Sequence, residues 1–237
     1  MVGMDNKVAV VTGAGGGLGR MFARALGADG WSVALLGRTR KTLEETAENM
    51  ADALVVVCDV ADEESVAGAF AEITGHYGRL DLLVNNAGVP GPTGELHTID
   101  PAEWRRTFET NTTGVFLCTQ AAFAWMADNG GGRIINNGSI AGHAPRAGVA
   151  AYAASKAAVK SLTVSTSLDG RPHGITATEL DIGNARTALL GSFTGSEPMF
   201  DAAEAARLLV AVAAMPADVS VDQVTLTAAG MPYLGRG

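Results

Sequence analysis

Residues 7–19 read Lys-Val-Ala-Val-Val-Thr-Gly-Ala-Gly-Gly-Gly-Leu-Gly (KVAVVTGAGGGLG). An apolar, β-branched run, Lys7–Thr12, ends in a cluster of glycines, and a helical pattern over Leu18–Ala28 begins as that cluster closes. A strand, a tight turn and a helix in this order bring backbone N–H groups and the positive end of a helix to one point. Such a point suits an anionic group, a pyrophosphate above all. Glycines let the chain turn there and let phosphate oxygens approach with no Cβ in the way. A glycine-rich turn with no ligand is the alternative while the motif stands alone.

Outward from this turn, short apolar runs alternate with longer amphipathic stretches. Strands are expected at Ser32–Leu36, Leu54–Cys58, Leu80–Asn85, Arg133–Asn136, Gly174–Leu180 and Gln223–Thr227. Helices are expected at Arg40–Ala51, Glu63–Tyr77, Trp104–Ala127 and Tyr152–Ser167. Near-continuous apolar strands separated by helices make a parallel sheet covered on both faces. With right-handed crossovers the fold class is α/β, a doubly wound, Rossmann-like sheet of about seven strands with helices on both faces. No repeat or linker marks a second unit, so residues 1–237 are read as one domain carrying every site.

Composition narrows the function. An apolar content of 47% and a mean hydropathy of +0.18 supply a large core and argue against disorder. The net charge is −8, and the 17 Lys and Arg residues form no basic face, which speaks against a nucleic-acid partner. No apolar run reaches the roughly 18 residues of a membrane span. Cys58 and Cys118 stand far apart with no CxxC pair, so neither a disulfide framework nor a zinc site is expected. Residues 1–7 have no signal-peptide pattern, and the expected location is the cytoplasm.

The glycine spacing is Thr12-Gly13-x-x-x-Gly17-x-Gly19, and Asn85-Asn86-Ala87-Gly88 follows the fourth strand. Asp59 follows the third strand, Asn111 lies in the long helix, Ser139 follows the fifth strand, and Tyr152 and Lys156 are four residues apart. In these motifs, over Lys7 to about Lys160, the chain resembles the short-chain dehydrogenases/reductases, with their TGxxxGxG, NNAG and YxxxK patterns in order. The resemblance implies a nicotinamide cofactor against Gly13, Gly15, Gly17, Leu18, Gly19, Asp59, Val60, Asn86, Ala87 and Gly88. It implies a catalytic set of Asn111, Ser139, Tyr152 and Lys156, the last two also touching the cofactor.

The residues themselves say what such a set does. Tyr152 and Lys156 share a helix face, and a cation beside a phenol makes its proton easier to give up. Tyr152 is thus a general acid for carbonyl reduction and a general base for alcohol oxidation. Ser139 can donate to a substrate oxygen as charge builds there. Asn111 is a poor helix former. By resemblance it kinks the helix and holds a water on a proton route to Lys156.

About 20 residues past the glycines, an acidic residue usually holds the ribose of NAD. Here that strand ends Gly37-Arg38 with no carboxylate. Arg38 offers a planar cation to a 2′-phosphate, so NADP(H) is expected. A solvated Arg38 is the alternative.

The resemblance weakens after the sixth strand. Ile182 stands where the family has proline, although Gly183 and Thr187 remain, and Ile182 and Thr187 are carried over as nicotinamide contacts. The segment after Thr187 is short for a lid, and the C-terminal Ala228–Tyr233 departs from the family's VDGG pattern. His143, Arg146 and Val149 lie between Ser139 and Tyr152. His143 reads as a solvated loop histidine, with a place in the pocket as the alternative, and Arg146 as a candidate contact for an anionic substrate. The two cysteines read as packing residues.

The leading reading is a hydride transfer between NADP(H) and a small carbonyl or alcohol. The alternatives are reduction of a C=N or β-ketoacyl thioester, and a redox sensor that binds NADP(H) without turnover. No metal is expected. Phe116–Met126 and Ala150–Leu162 are rich in small and apolar residues, and by resemblance a homotetramer is expected.

Overall fold

The first strand, β1 (Val8–Thr12), is buried along its whole length. Its side chains alternate between two cores: Ala9 and Val11 enter one, Val10 the other. A strand apolar on both faces belongs inside a sheet. The computed structural model describes residues 7–186 and 197–231 and has β1 inside a seven-stranded sheet, between β2 and β4.

The chain then runs α1 (Gly17–Ala28), β2 (Ser32–Gly37), α2 (Arg40–Ala47), β3 (Ala53–Val57), α3 (Glu63–Tyr77) and β4 (Leu82–Asn85). There follow α4 (Pro101–Phe108), a π turn (Glu109–Thr113), α5 (Gly114–Asp128), β5 (Gly132–Asn137), α6 (Ala150–Gly170) and β6 (Ile175–Ile182). Two short strands, β7 (Ala185–Arg186) and β8 (Phe200–Asp201), precede α7 (Ala202–Ala213) and β9 (Gln223–Leu226). The sheet order is β3-β2-β1-β4-β5-β6-β9 with every pair parallel. The order reverses between β1 and β4, and a crevice opens at the carboxyl ends of strands at such a point.

One core packs α1 and α7 against the sheet through Phe22, Leu26, Leu209 and Val212; the other packs α3 and α5 through Phe70, Ile73, Cys118 and Met126. Fully buried Phe22 and Leu26 each contribute about 1.5–3 kcal/mol. Cys58 and Cys118 are buried free thiols. No helix among the described residues is long and apolar enough to cross a membrane.

Several boundaries differ from the sequence reading, among them the end of α2, at Ala47 and not Ala51, and both ends of α6. The long helix begins at Pro101, because Asp100 accepts the Ala102 N–H (2.9 Å) and proline suits a first turn. It is also not one helix, since the π turn divides it around Asn111. β4 begins only at Leu82, and the Asp81 carboxylate before it bonds to Val8 N (2.8 Å) and Arg79. β6 begins after Gly174, whose φ is +68°, and extends to Ile182, two residues beyond the expected end.

Candidate active site

Thr12 closes β1, and its hydroxyl accepts hydrogen bonds from the Asn86 and Ala87 N–H groups at 2.9 and 3.0 Å. The Asn86 amide donates to Thr12 O (3.0 Å), and its oxygen accepts from Asn137 Nδ2 (3.0 Å). One bonded chain therefore ties the ends of β1, β4 and β5 together. Beneath it, Asn85 donates to Asn136 and Thr119, and Asn136 to Thr163, all buried. These buried bonds hold the three strand ends in one register.

The glycines of the first turn divide the work. Gly13 has φ +64°, and a Cβ there would come within 2.9 Å of the Ala87 Cα. Gly19 is the tightest: a Cβ would sit 2.2 Å from Gly13 O, so only glycine lets α1 rest on the turn. Gly15 faces Thr42, not the cleft, with a Cβ 2.4 Å from the Thr42 hydroxyl oxygen. Arg20 pins it by donating to Gly15 O at 2.7 Å.

A cleft of about 440 Å³ lies against this turn, lined by Gly13, Gly16, Gly17, Leu18, Asn86–Val89, Asn137, Tyr152 and Lys156. Of the expected residues, Gly13, Gly17, Leu18, Asn86, Ala87, Gly88, Tyr152 and Lys156 meet here, while Gly15, Gly19, Asn111 and Ser139 lie outside the lining. Gly16, Val89 and Asn137 were not expected: each adjoins a recognised motif, and only the fold reveals which neighbour faces the cleft. Arg38, Asp59 and Val60 do not line this cleft; they follow the neighbouring strands β2 and β3. Arg38 is exposed and makes no hydrogen bond or ion pair with a described residue. Asp59 caps the next turn through Ala61 N (3.1 Å). Val60 is buried against Gly114, where a Cβ would approach its side chain to 2.8 Å. Ile182 ends β6 at 9% exposure, and Thr187 lies outside the described residues.

Asn111 is fully buried in the π turn. Its oxygen accepts from Val89 N (2.8 Å), and its nitrogen donates to Val89 O (2.9 Å) and Ser155 Oγ (3.1 Å). Its amide is thus spent on pinning the loop after β4 to α6. A π turn at such a place widens a helix locally and is frequent at functional sites.

The Lys156 ammonium donates to Asn137 O (2.6 Å) and lies 5.8 Å from the centre of the Tyr152 ring. Burial pulls Lys156 down to about 8, against the opposing pull of Asp181 and Glu179. Burial raises the Tyr152 phenol, and a hydrogen bond with Ser139 lowers it in part. Tyr152 therefore holds its proton here, as an acid must. Ser139 also caps the short 3-10 turn after β5, accepting from Ala141 N (3.2 Å).

Two expectations are corrected. His143 is not a solvated loop residue: its side chain is 14% exposed and lies 2.8 Å from the Asp181 carboxylate. Arg146 is not free to meet a substrate, because it pairs with Glu197, which also accepts from Asn184 (2.9 Å). No spacing revealed the group that His143 joins: His143, Glu179 and Asp181 bring ligand-type atoms within 4.8 Å of one another. β6 presents the two carboxylates on one face, and the loop after β5 carries His143 to them.

The family model described as short chain dehydrogenase matches residues 7–197. The chain is 39% identical over 188 residues to a cis-4-hydroxycyclohexanecarboxylate dehydrogenase of Sinomonas cyclohexanicum, covering 78% of this chain and 75% of that one. It is 32% identical to sulfoacetaldehyde reductase 2 of Chromohalobacter salexigens, over 92% and 93% of the two chains. Among solved structures it resembles an actinorhodin polyketide ketoreductase with NADPH (TM-score 0.87, 30% identity, 96% and 98% covered). A 3-ketoacyl-(acyl-carrier-protein) reductase from Brucella melitensis complexed with NADH matches at TM-score 0.88 and 27% identity, over 94% and 98%.

Proposed function

This chain belongs to the short-chain dehydrogenase family, and on that footing we propose that it is an NADP(H)-dependent oxidoreductase of a small carbonyl or alcohol, with Tyr152 as the acid–base group. The observation that carries the reading is the convergence of Tyr152, Lys156 and the glycine turn on one cleft.

The residues suit a dinucleotide. The glycine turn is a cradle that side chains would fill, and Arg38, at the end of the strand beside it, is an exposed cation with no partner among the described residues. Arg38 favours NADP(H), since a guanidinium can take a 2′-phosphate in two hydrogen bonds. Gly13, Gly17 and Leu18 would hold the pyrophosphate region, Asp59 and Val60 the adenine, and Asn86, Ala87, Gly88, Ile182 and Thr187 the nicotinamide half. NADPH, when bound, supplies the hydride.

This chain's own residues handle the proton and the charge. Ser139 donates to the substrate oxygen, and Tyr152 passes its proton to that oxygen as negative charge grows. Lys156, held by Asn137 O, draws the phenol toward ionisation and is the next proton source. Asn111 keeps α6 and the loop after β4 in place, so a relay water would fall to the backbone carbonyls that the π turn loosens. A cytoplasmic homotetramer goes with this reading, as does the reducing surrounding that two free thiols tolerate.

Fluorescence titration with NADPH and NADH tests the proposal first. NADPH should bind about tenfold tighter or better. Tyr152→Phe should keep cofactor affinity yet lose about 10²–10⁴ of carbonyl turnover. Cofactor binding with no turnover even in the wild type would point to the redox-sensor alternative. Equal turnover in the variant would overturn Tyr152 as the acid–base group, and tighter NADH binding would sink the Arg38 reading alone.

A further inference from the structure

Glu179 and Asp181 are two residues apart on β6, so both side chains leave one face of the sheet, beneath α6. They are 3% and 0% exposed. Asp181 Oδ2 accepts hydrogen bonds from His143 Nε2 and Gln223 Nε2, both at 2.8 Å. His143 Nδ1 faces the Lys160 ammonium at 2.8 Å. That donation leaves the ring proton on Nε2 and makes His143 a donor to Asp181.

Glu179 has no such support. Among the described residues its Oε1 has no hydrogen-bond partner, with His143 Nε2 3.7 Å away. Asp181 Oδ1 is also without a donor and lies against Gly138. A Cβ on Gly138 would come within 2.5 Å of Asp181 Oδ1 and 3.2 Å of Glu179 Oε1. Gly138 in turn follows Asn137, whose carbonyl holds the Lys156 ammonium. The carboxylates thus lie beside the backbone that anchors Lys156.

Two neighbouring carboxylates in so dry a place do not both ionise readily. Asp181 has two donors, whereas burial and the neighbouring Asp181 favour the proton on Glu179. We propose that Glu179 and Asp181, held by His143 and Gln223, share one proton and act through Lys156 as positioning residues that set how readily the Tyr152–Lys156 pair gives up a proton. The proposal rests on the catalytic reading of Tyr152 and Lys156.

The charges around the pair fit this role. Burial, and then Asp181, push Glu179 up to about 7. The groups facing it are Lys156 and Lys160 on α6, His143 in the loop before α6, Asp181 on its own strand, Gln223 on β9 and Asn136 on β5. As pH rises past Glu179, a second negative charge appears near Lys156 and favours its ammonium, opposing the burial that drives Lys156 down. Glu179→Gln removes that charge, so Lys156 should release its proton at lower pH.

The pH dependence of kcat for carbonyl reduction, compared in the wild type, Glu179→Gln, Glu179→Asp and Asp181→Asn, tests the coupling. The alkaline fall should move down by about one pH unit in Glu179→Gln and return toward the wild-type position in Glu179→Asp. A loss of kcat equal at every pH, with the fall unmoved, would overturn the proposal. Carbon-13 NMR of protein labelled at its Asp and Glu carboxyls needs no substrate. One carboxyl should titrate near pH 7, and its signal should vanish in Glu179→Gln. Titration of all carboxyls below about pH 5 would overturn the shared proton. Displacement of those signals by micromolar zinc would overturn it too, by making the cluster a cation site. Full turnover in Tyr152→Phe beside a near-neutral carboxyl would overturn the coupling through the catalytic reading, with the shared proton recorded separately.

Discussion

At the scale of single residues, burial changes what a side chain is. That Tyr152 and Lys156 share a helix face follows from their spacing, while their standing as a candidate pair came from the other motifs around them. Their protonation follows from neither, since it depends on the dry interior around Lys156 and on Ser139. His143 carries no local signal either: its meaning comes from Asp181, 38 residues away in the chain. Arg38 is the opposite case, an exposed cation whose neighbours do little to define it, so a ligand should decide its worth. Arg38→Ala should weaken NADPH binding by about 1.5–3 kcal/mol, tenfold or more, and leave NADH binding unchanged. A parallel loss for both cofactors in the same fluorescence titration would make Arg38 a generic surface charge.

Among elements, the strands and most helices follow from periodicity, while their ends follow from caps and contacts. The missed start at Pro101 was written in Asp100-Pro101. The π turn was not, because the partners that Asn111 secures, Val89 and Ser155, come from other segments. The glycine turn holds a similar division between fold and ligand. Gly19→Ala forces a methyl against Gly13 O, and overpacking of that kind costs about 1–3 kcal/mol, a fall in Tm of about 5 °C. Gly16 is extended and exposed, and nothing lies within 4 Å of its Cβ position, yet it lines the cleft. Gly16→Ala should therefore keep the wild-type Tm and lose cofactor affinity. Calorimetry and fluorescence on the two variants separate the roles, and equal destabilisation by both would refute the division.

At the scale of the whole molecule, Phe116 on α5 and Val164 and Leu168 on α6 are 44%, 55% and 52% exposed. Large apolar side chains on neighbouring helices mark a surface for association. Light scattering at micromolar concentration should give the mass of four 24.2 kDa chains, and Val164→Glu should reduce it. A monomer peak for the wild type would refute the assembly. By itself the sequence determined the parallel α/β fold and the glycine turn, and it singled out Asn111, Ser139, Tyr152 and Lys156 as candidates, because period, glycine spacing and motif order are properties of the chain read locally. Only the tertiary structure decided that Gly16 and not Gly15 faces the cleft, that Arg146 is paired, and that His143, Glu179 and Asp181 meet under Lys156. Contacts between distant segments, and the burial that shifts their protons, exist only once the sheet has drawn its strand ends together.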